Sequence, residues 1–192
     1  SEDVQCAMYL EGIRLLEEAG LHHYEVSNFA RDGFRCRHNL GYWEGRDYLG
    51  VGPAATSTIG GERWTNPEGE GWLEQVREGR RCPEREPLDR ATRALELMML
   101  RLRTVDGLPL DAYESLAGRS FLGDHGPFAH RLCAEGLARM ENGVFRLTDE
   151  GMLVSNSILG ELYFKFAEDT FRDGQVDYTA CLVEQPFQRN AG

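Results

Sequence analysis

The sequence predicts an α/β segment that ends a larger parallel sheet or barrel, followed by a mainly helical domain with a winged-helix-like layout. Three observations support this fold class. A helical pattern leads through a short glycine turn into a strand, an irregular glycine-rich section follows, and helical patterns then alternate with one tight hairpin. We therefore divide the chain into residues 1–66, a helical domain at residues 67–165 and a tail at residues 166–192.

The first helix is predicted over residues 3–19, where apolar side chains recur at helical spacing and Gly20 follows the last turn. The next segment, "LHHYEVSNF", is short and rich in residues that favour strands. A helix that enters a strand through a short loop is half of a β-α-β unit, in which strands pair in parallel. Since no earlier strand is available to pair with it, we expect this unit to be the last of a sheet or barrel, and the chain to be a C-terminal fragment.

Residues 31–66 show no clear helical pattern, and Gly60-Gly61 predicts a hairpin between two β-branched runs. The run Gly50–Ala55 superficially fits the GxGxxA dinucleotide pattern. Such a site needs a helix directly after the glycines, which Pro53 and the following Thr-Ser-Thr run oppose. We interpret this run as a strand and turn whose glycines let the backbone pass close to a neighbouring group.

Helical patterns dominate the rest of the sequence, at "WLEQVREG", "PLDRATRALELMMLRLRTVDG", "DAYESLAG" and "GPFAHRLCAEGLARM". Asp89 is the predicted cap of the second of these helices. Glu141-Asn142-Gly143 predicts a tight hairpin, and Thr148 predicts the cap of a final helix. Helix, helix, hairpin, helix is the layout of a winged-helix module.

Composition limits the classes of partner. The formal charge is −11 with Lys165 as the one lysine, so the surface repels phosphate backbones and we expect no nucleic-acid partner. The densest basic cluster, Arg77–Arg85, contains two glutamates. No apolar run is long enough for a membrane span and the start is unlike a signal peptide, which predicts a cytoplasmic protein. The five cysteines are far apart, so the spacing predicts no local metal site.

Polar and aromatic side chains are concentrated in "HYEVSNFARDGFRCRHNLGYW", residues 23–43. Functional groups gather at the carboxyl ends of parallel strands, where Ser27 to Ala30 and the Asn28 amide would be able to hold a small polar ligand. The loop that follows offers an imidazole, an amide and two aromatic rings, which suit a large flat ligand as well as a packed corner. Glu25, in mid-strand, needs a partner if it is buried, and Arg35 or Arg37 is a candidate.

The longer stretch "YEVSNFARDGFRCRHNLGYWEGRDYLGVGPAATS" resembles the segment that closes the barrel in the radical-SAM oxygen-independent coproporphyrinogen III oxidase-like family, of HemN/HemW type. "HNLGYW" is similar to the form found in the heme-chaperone branch, HemW, and "GVFRLTDEGMLVSNSILGEL" is similar to the end of the family's C-terminal domain. The resemblance implies a partial (β/α)6 radical-SAM barrel with a 4Fe-4S cluster and S-adenosylmethionine, followed by a helical, winged-helix-like domain. The family's CxxxCxxC cluster motif does not occur in this sequence, so we expect the chain alone to be inactive and to contain no catalytic residue.

The resemblance also implies which side chains face which ligand. The S-adenosylmethionine side would comprise Asn28, Phe29 and Ala30, with Ala30 the leading contact. The heme or porphyrin side would comprise the motif residues His38, Asn39, Tyr42 and Trp43, with His38 a candidate ligand of the heme iron.

Three functions remain open at this point. The motif form favours a heme chaperone that binds heme and passes it to respiratory proteins. The alternative is the oxidase, which converts coproporphyrinogen III to protoporphyrinogen IX by oxidative decarboxylation. A second alternative is a non-enzymatic winged-helix binding module with its recognition helix near residues 126–140. The expected partners are porphyrin or heme, a heme-accepting respiratory protein and a second copy of the chain in a homodimer.

Overall fold

The structure of the chain, a computed structural model, describes residues 2–79 and 84–170. Helix α1 (Glu2–Glu18) confirms the first predicted helix, and its buried side chain is Ile13. Gly20 follows it with φ of 75°, a left-handed conformation that glycine adopts without steric cost. This turn leads into strand β1 (His22–Glu25).

The segment predicted as one strand is divided in two, whereas the expected parallel pairing with an earlier strand stays a prediction. Strand β1 turns back on itself and pairs antiparallel with β2 (Asn28–Ala30), with His23 opposite Phe29. The other edge of β1 meets the segment after residue 101 through an antiparallel bridge between Glu25 and Thr104. The turn at Val26-Ser27 gives the backbone groups on one edge of β1 a local hydrogen-bonding partner, β2.

Helix α2 (Arg37–Trp43) occupies part of the section for which no helix was predicted. It packs against the later helix α4 and buries Trp43. The predicted hairpin around Gly60-Gly61 is confirmed: β3 (Thr56–Ile59) pairs with β4 (Glu62–Thr65), and β5 (Glu86–Pro87) adds a third strand beside β4.

The helical half begins with α3 (Gly69–Arg77) and α4 (Arg90–Arg101). The predicted cap is confirmed, since the Asp89 carboxylate accepts a hydrogen bond of 2.7 Å from the Thr92 backbone. Strand β6 (Leu108–Pro109), helix α5 (Leu110–Ala117) and helix α6 (Phe121–Ala134) follow. Helix α6 begins before the predicted start at Gly126, and Pro127 lies within it.

Strands β7 (Ala138–Glu141) and β8 (Val144–Leu147) form the predicted hairpin, with both turn residues in the left-handed region: φ is 52° at Asn142 and 74° at Gly143. The sheet has the order β6-β8-β7. The final helix predicted after Thr148 is divided into α7 (Asp149–Leu153) and α8 (Ser155–Thr170). Thr148 caps α7 by accepting a hydrogen bond from the Gly151 amide at 3.1 Å.

Helix α8 passes the predicted start of the tail at residue 166, because Phe166 is 1% exposed and belongs to the core. Residues 171–192 of that tail, and residues 80–83 of the basic cluster, lie outside the described residues. One large hydrophobic core is formed by the five helices α4 to α8 and the sheet β6-β8-β7. Its largest fully buried aromatic side chains are Tyr113, Phe121, Phe145 and Phe166. Within the two described ranges, no helix combines the length and the apolar character needed to cross a bilayer.

Candidate heme-facing site

Helix α2 presents two different faces to its surroundings. Trp43 is 8% exposed and Asn39 is half-buried, so this pair at i, i+4 spacing faces inward. His38 and Tyr42, the other i, i+4 pair, face outward, and Tyr42 is 40% exposed. The four predicted motif residues are therefore brought together on one short helix, with two of them anchoring it and two of them open to a ligand.

The inward face is fixed by Tyr24, which is 2% exposed on β1. Burial raises the pKa of Tyr24, and hydrogen bonds from the Cys36 backbone and the Asn39 side chain to its hydroxyl oppose that rise. The start of α2 is thus tied to the hairpin. Arg35 lies 5.9 Å from the centre of the Tyr24 ring and forms an ion pair with Asp106 at 3.1 Å.

The outward face continues as a series of three rings. The ring centroids of His38 and Tyr42 are 4.9 Å apart with an interplanar angle of 84°, and those of Tyr42 and Tyr48 are 4.9 Å apart at 66°. Both are edge-to-face contacts, the arrangement that aromatic quadrupoles favour. Tyr48 was not predicted as a site residue, because its contact with Tyr42 is formed only when the chain folds back after the end of α2.

The glycines of the Gly50–Ala55 run serve close backbone packing. A Cβ at Gly50 would lie 2.2 Å from the carbonyl oxygen of Thr56, so another side chain does not fit there without a shift of the backbone. The Asn66 amide donates to the carbonyls of Gly50 at 3.4 Å and Gly52 at 2.9 Å. Strand β3, rather than a helix, follows the run. The structure therefore agrees with a strand and turn and lacks the helix start that a pyrophosphate site requires.

The three residues predicted on the S-adenosylmethionine side form β2. Asn28 and Phe29 are half-buried and Ala30 is 8% exposed. Beside them lies an open groove of about 320 Å³ between α1 and the β1–β2 turn, lined in part by Tyr9, Ser27 and Phe29. The strand thus places Phe29, but not the buried Ala30, at the surface of a groove in the described chain.

The groove is backed by a histidine that sequence reasoning did not single out. His23 has a side chain only 2% exposed, stacks on Phe29 at 4.8 Å and contacts Asp149 through Nδ1 at 3.0 Å. Tyr9 lies edge-on to His23 and donates to the Val26 carbonyl at 3.1 Å. Burial, followed by the charges of Asp149 and Glu25, raises the pKa of Tyr9 to about 12. Three successive residues of β1, His23 to Glu25, are buried, so no alternating pattern indicates the burial of His23, and nothing local indicates Asp149.

Glu25 is 1% exposed, as expected for a mid-strand carboxylate in a buried sheet. Its Oε2 accepts a hydrogen bond from the Ser27 backbone at 3.4 Å, and its Oε1 has no hydrogen-bond partner. The predicted ion pair with Arg35 or Arg37 is not formed in the described part of the chain, because Arg35 pairs with Asp106 instead.

The side chains available as metal ligands differ in how well they fit the two metal groups that the resemblance implies, a 4Fe-4S cluster and heme. Across residues 2–79 and 84–170, no three His, Cys, Asp or Glu side chains are grouped so as to hold a metal ion, and Cys6, Cys36 and Cys133 are free thiols. These residues do not fit a 4Fe-4S cluster. An outward imidazole at His38 beside an exposed tyrosine ring does fit heme, because imidazole is a common axial ligand of heme iron.

Comparison with known proteins identifies a matching family model and similar chains. A family model described as the HemN C-terminal domain matches residues 88–154. The chain is 35% identical to the heme chaperone HemW of Synechocystis sp. over 84% of this chain and 44% of that protein. It is 30% identical to the heme chaperone HemW of Bacillus subtilis over 83% of this chain and 42% of that protein.

Two further proteins are similar to this chain, one in sequence and one in structure. The radical S-adenosyl methionine domain-containing protein 1, mitochondrial, of Danio rerio is 36% identical over 59% of this chain and 28% of that protein. Among solved structures, the coproporphyrinogen III oxidase HemN of Escherichia coli, a radical SAM enzyme, matches with a TM-score of 0.57 at 18% identity. That match covers 82% of this chain and 39% of the enzyme.

The fold defines a mixed α/β protein of the kind seen in the radical-SAM enzyme HemN. Within that class, the chain belongs to the HemN/HemW-type family and corresponds to its C-terminal portion. The chain spans less than half of the length of the curated relatives that it matches.

Proposed function

We propose that the chain is the heme-facing C-terminal part of a heme chaperone of the HemW kind, a radical-SAM protein that binds heme and passes it to respiratory proteins. The observation that carries the proposal is the division of α2 into an anchored face, Asn39 and Trp43, and an open face, His38 and Tyr42. Two relatives that share this part of the chain are heme chaperones by name.

The open face supplies what heme binding needs from a protein. Neutral imidazole ligates heme iron through a ring nitrogen, and His38 is exposed, so a macrocycle is able to approach it. Tyr42 places an aromatic ring beside that imidazole at 4.9 Å. A porphyrin is a large apolar plate, and contact with an aromatic surface removes that area from water.

The anchored face keeps the open face in place. Trp43 is buried and Asn39 is hydrogen-bonded to Tyr24, so the backbone of α2 is held at both ends of the motif. A ligand that binds a preorganised helix loses less conformational entropy than one that must order it.

On the barrel side, Asn28, Phe29 and Ala30 are proposed to approach S-adenosylmethionine, which in this family serves with a 4Fe-4S cluster as the source of a 5′-deoxyadenosyl radical. Support comes from the groove beside Phe29, whose volume of about 320 Å³ suits part of a small molecule. We assign the cluster to residues beyond those of this chain, because the sequence contains no CxxxCxxC motif.

We also propose that residues 1–66 form the last unit of a partial (β/α)6 barrel and that a winged-helix-like domain extends from residue 67 through α8. The order α4, β6, α5, α6, β7, β8 and the sheet order β6-β8-β7 support the second assignment. A cytoplasmic location, a respiratory protein as heme acceptor and a homodimer complete the proposal.

Heme titration of the purified protein tests the central assignment. His38→Ala should abolish or shift the Soret band that forms on heme addition, while His130→Ala should leave it unchanged. His130 is a matched control because it is also exposed on a helix, α6. An unchanged spectrum and affinity in His38→Ala would overturn the role of His38 as iron ligand.

The oxidase is the second candidate, and the likeness to the fold of HemN favours it. Anaerobic incubation of the reconstituted protein with coproporphyrinogen III, S-adenosylmethionine, a reductant for the cluster and an electron acceptor separates the two functions. Release of CO2 with formation of protoporphyrinogen IX would favour the oxidase, whereas heme binding without decarboxylation would favour the chaperone. A winged-helix module without chemistry is less well supported, because exposed Arg131 and Arg139 on and after α6 are accompanied by exposed Glu135.

A further inference from the structure

We infer that Tyr48 is a positioning residue of the heme site, which holds Tyr42 and, through it, the imidazole of His38. This inference rests on the proposed heme-binding function and adds to it a residue that lies outside the HNLGYW segment. Tyr48 needs no contact with the ligand for this role. It acts through the series of ring contacts on the open face of α2.

Tyr48 is fixed in place by hydrogen bonds of its backbone. Its backbone forms an antiparallel bridge with Thr58 on β3, with the Tyr48 amide 2.8 Å from the Thr58 carbonyl and the Thr58 amide 3.0 Å from the Tyr48 carbonyl. The neighbouring Asp47 accepts a hydrogen bond from the Gly60 amide at 3.0 Å, at the tip of the same hairpin. Tyr48 is therefore joined to a sheet rather than to a free loop.

The sheet that contains β3 and β4 is in turn joined to α4 and the main core. The Arg63 Nε donates to the Thr58 hydroxyl at 3.2 Å, and its guanidinium forms a two-pronged ion pair with Glu96 at 2.6 and 3.1 Å. Glu96 lies on α4, whose side chains Ala94, Leu95 and Met98 are buried in the main core. Paired hydrogen bonds of this kind fix orientation as well as distance.

The ring of Tyr48 in turn restricts the side chains of the proposed site. Tyr42 and His38 lie on the outer face of a seven-residue helix, and the ring of Tyr48 contacts that face from outside the helix. Without it, the exposed Tyr42 side chain gains rotamer freedom, and His38 loses the ordered ring at its edge. An imidazole that must be ordered by the ligand binds more weakly than one already in place.

The expected effect is modest and measurable. One edge-to-face aromatic contact corresponds to an affinity change of about twofold to about tenfold. Tyr48→Ala should weaken heme binding by a factor in this range, whereas Tyr48→Phe should bind heme as the wild type does because the ring contact is retained. The thermal transition of both variants is recorded to show that they are folded at the temperature of the titration.

A second measurement does not depend on heme. The ring protons of His38 in the ligand-free protein, assigned by their loss in His38→Ala, should shift in Tyr48→Ala and remain in place in Tyr48→Phe, because neighbouring aromatic rings set their chemical shifts. Unchanged ring-proton shifts in Tyr48→Ala would overturn the inference whatever heme does. If His38→Ala leaves heme binding intact while the shifts move as expected, the proposed iron ligand is wrong and the positioning of His38 by Tyr48 stands. A third outcome is that the His38 ring-proton shifts move in Tyr48→Ala and His38→Ala abolishes heme binding. In that case, an unchanged heme affinity in Tyr48→Ala would show that Tyr48 has no positioning role in heme binding.

Discussion

Tyr24→Phe removes one oxygen atom from the protein and separates the anchoring of α2 from its ligand chemistry. The hydroxyl of Tyr24 accepts hydrogen bonds from the Cys36 backbone and the Asn39 side chain, at the beginning of α2. The ring itself is buried and lies under Arg35, so phenylalanine keeps the packing and loses the two hydrogen bonds. We expect α2 to become less ordered while the hairpin stays folded.

The magnitude follows from the exposure of the two donors. A buried donor that loses its partner costs about 1 to 3 kcal/mol. Because Cys36 is exposed and Asn39 is half-buried, water is able to replace part of the lost hydrogen bonding, and the cost should be close to about 1 kcal/mol. Domains are stable by about 5 to 15 kcal/mol, so the variant stays folded. If heme binding has to restore the order of α2, the affinity should fall by at most about fivefold.

Two assays with one control distinguish anchoring from general destabilisation. Urea denaturation gives the free energy of unfolding, and heme titration gives the affinity. Tyr113→Phe is the matched control: Tyr113 is also fully buried, and its hydroxyl donates to Asp124 at 2.9 Å in the core of the C-terminal helices. Both variants should lose stability, but only Tyr24→Phe should lose heme affinity. Equal heme affinities in the two variants would refute the anchoring role of Tyr24.

The pH dependence of stability provides a further check on Tyr24. Burial raises the pKa of Tyr24 in the folded state above the unfolded value of about 10. The unfolded state therefore releases this proton first, and the free energy of unfolding falls as the pH rises above about 10. Tyr24→Phe lacks this contribution, so its stability deficit relative to the wild type should narrow between pH 8 and pH 10.5. A deficit that widens over that interval would contradict the raised pKa.

Two further predictions concern contacts of α7, and both are measured by urea denaturation. Asp149→Ala should lower the free energy of unfolding by about 1 to 3 kcal/mol because the buried His23 loses its partner. Glu150 is an exposed acid in the same first turn, and Glu150→Ala should change the free energy of unfolding by about 0.5 kcal/mol or less. Equal losses in the two variants would show that the His23 contact contributes nothing. Gly151→Ala should cost more than about 2 kcal/mol because its Cβ would lie 1.9 Å from a backbone oxygen, while Gly160→Ala, with open space around it on α8, should gain about 0.5 to 1 kcal/mol. A Gly151→Ala protein as stable as the wild type would show that α7 is free to move away from the sheet.

The features of the fold that were predictable are those set by a few neighbouring residues. The Asn142-Gly143 turn was predictable because both residues tolerate the left-handed conformation that a two-residue hairpin needs. The caps Asp89 and Thr148 were predictable because each accepts a hydrogen bond from an amide three residues ahead. Such signals do not depend on what the rest of the chain does.

Other features depend on partners that are distant in sequence. Helix α2 has only seven residues and includes Gly41, so its pattern is too short to be recognised and its packing on α4 decides its conformation. The contact between His23 and Asp149 joins residues 126 positions apart. The residues of the proposed heme face were indicated by family resemblance, but their division into anchored and open pairs became visible only with the helix.

Contacts between distant residues also connect the proposed heme-binding motif, residues 38–43, to the domain that the family model matches at residues 88–154. Three segments near the motif are tied to α4 or to the segment just after it: the Val26 amide donates to the Arg103 carbonyl at 2.9 Å, Arg35 pairs with Asp106, and Arg63 pairs with Glu96. Isolated helices shorter than about 12 to 15 residues are marginal in water, so α2 cannot hold its own geometry. The helical half of the chain therefore supports α2, the helix that we propose faces heme, and we expect substitutions on α4 that leave the fold intact to change heme affinity without contacting heme.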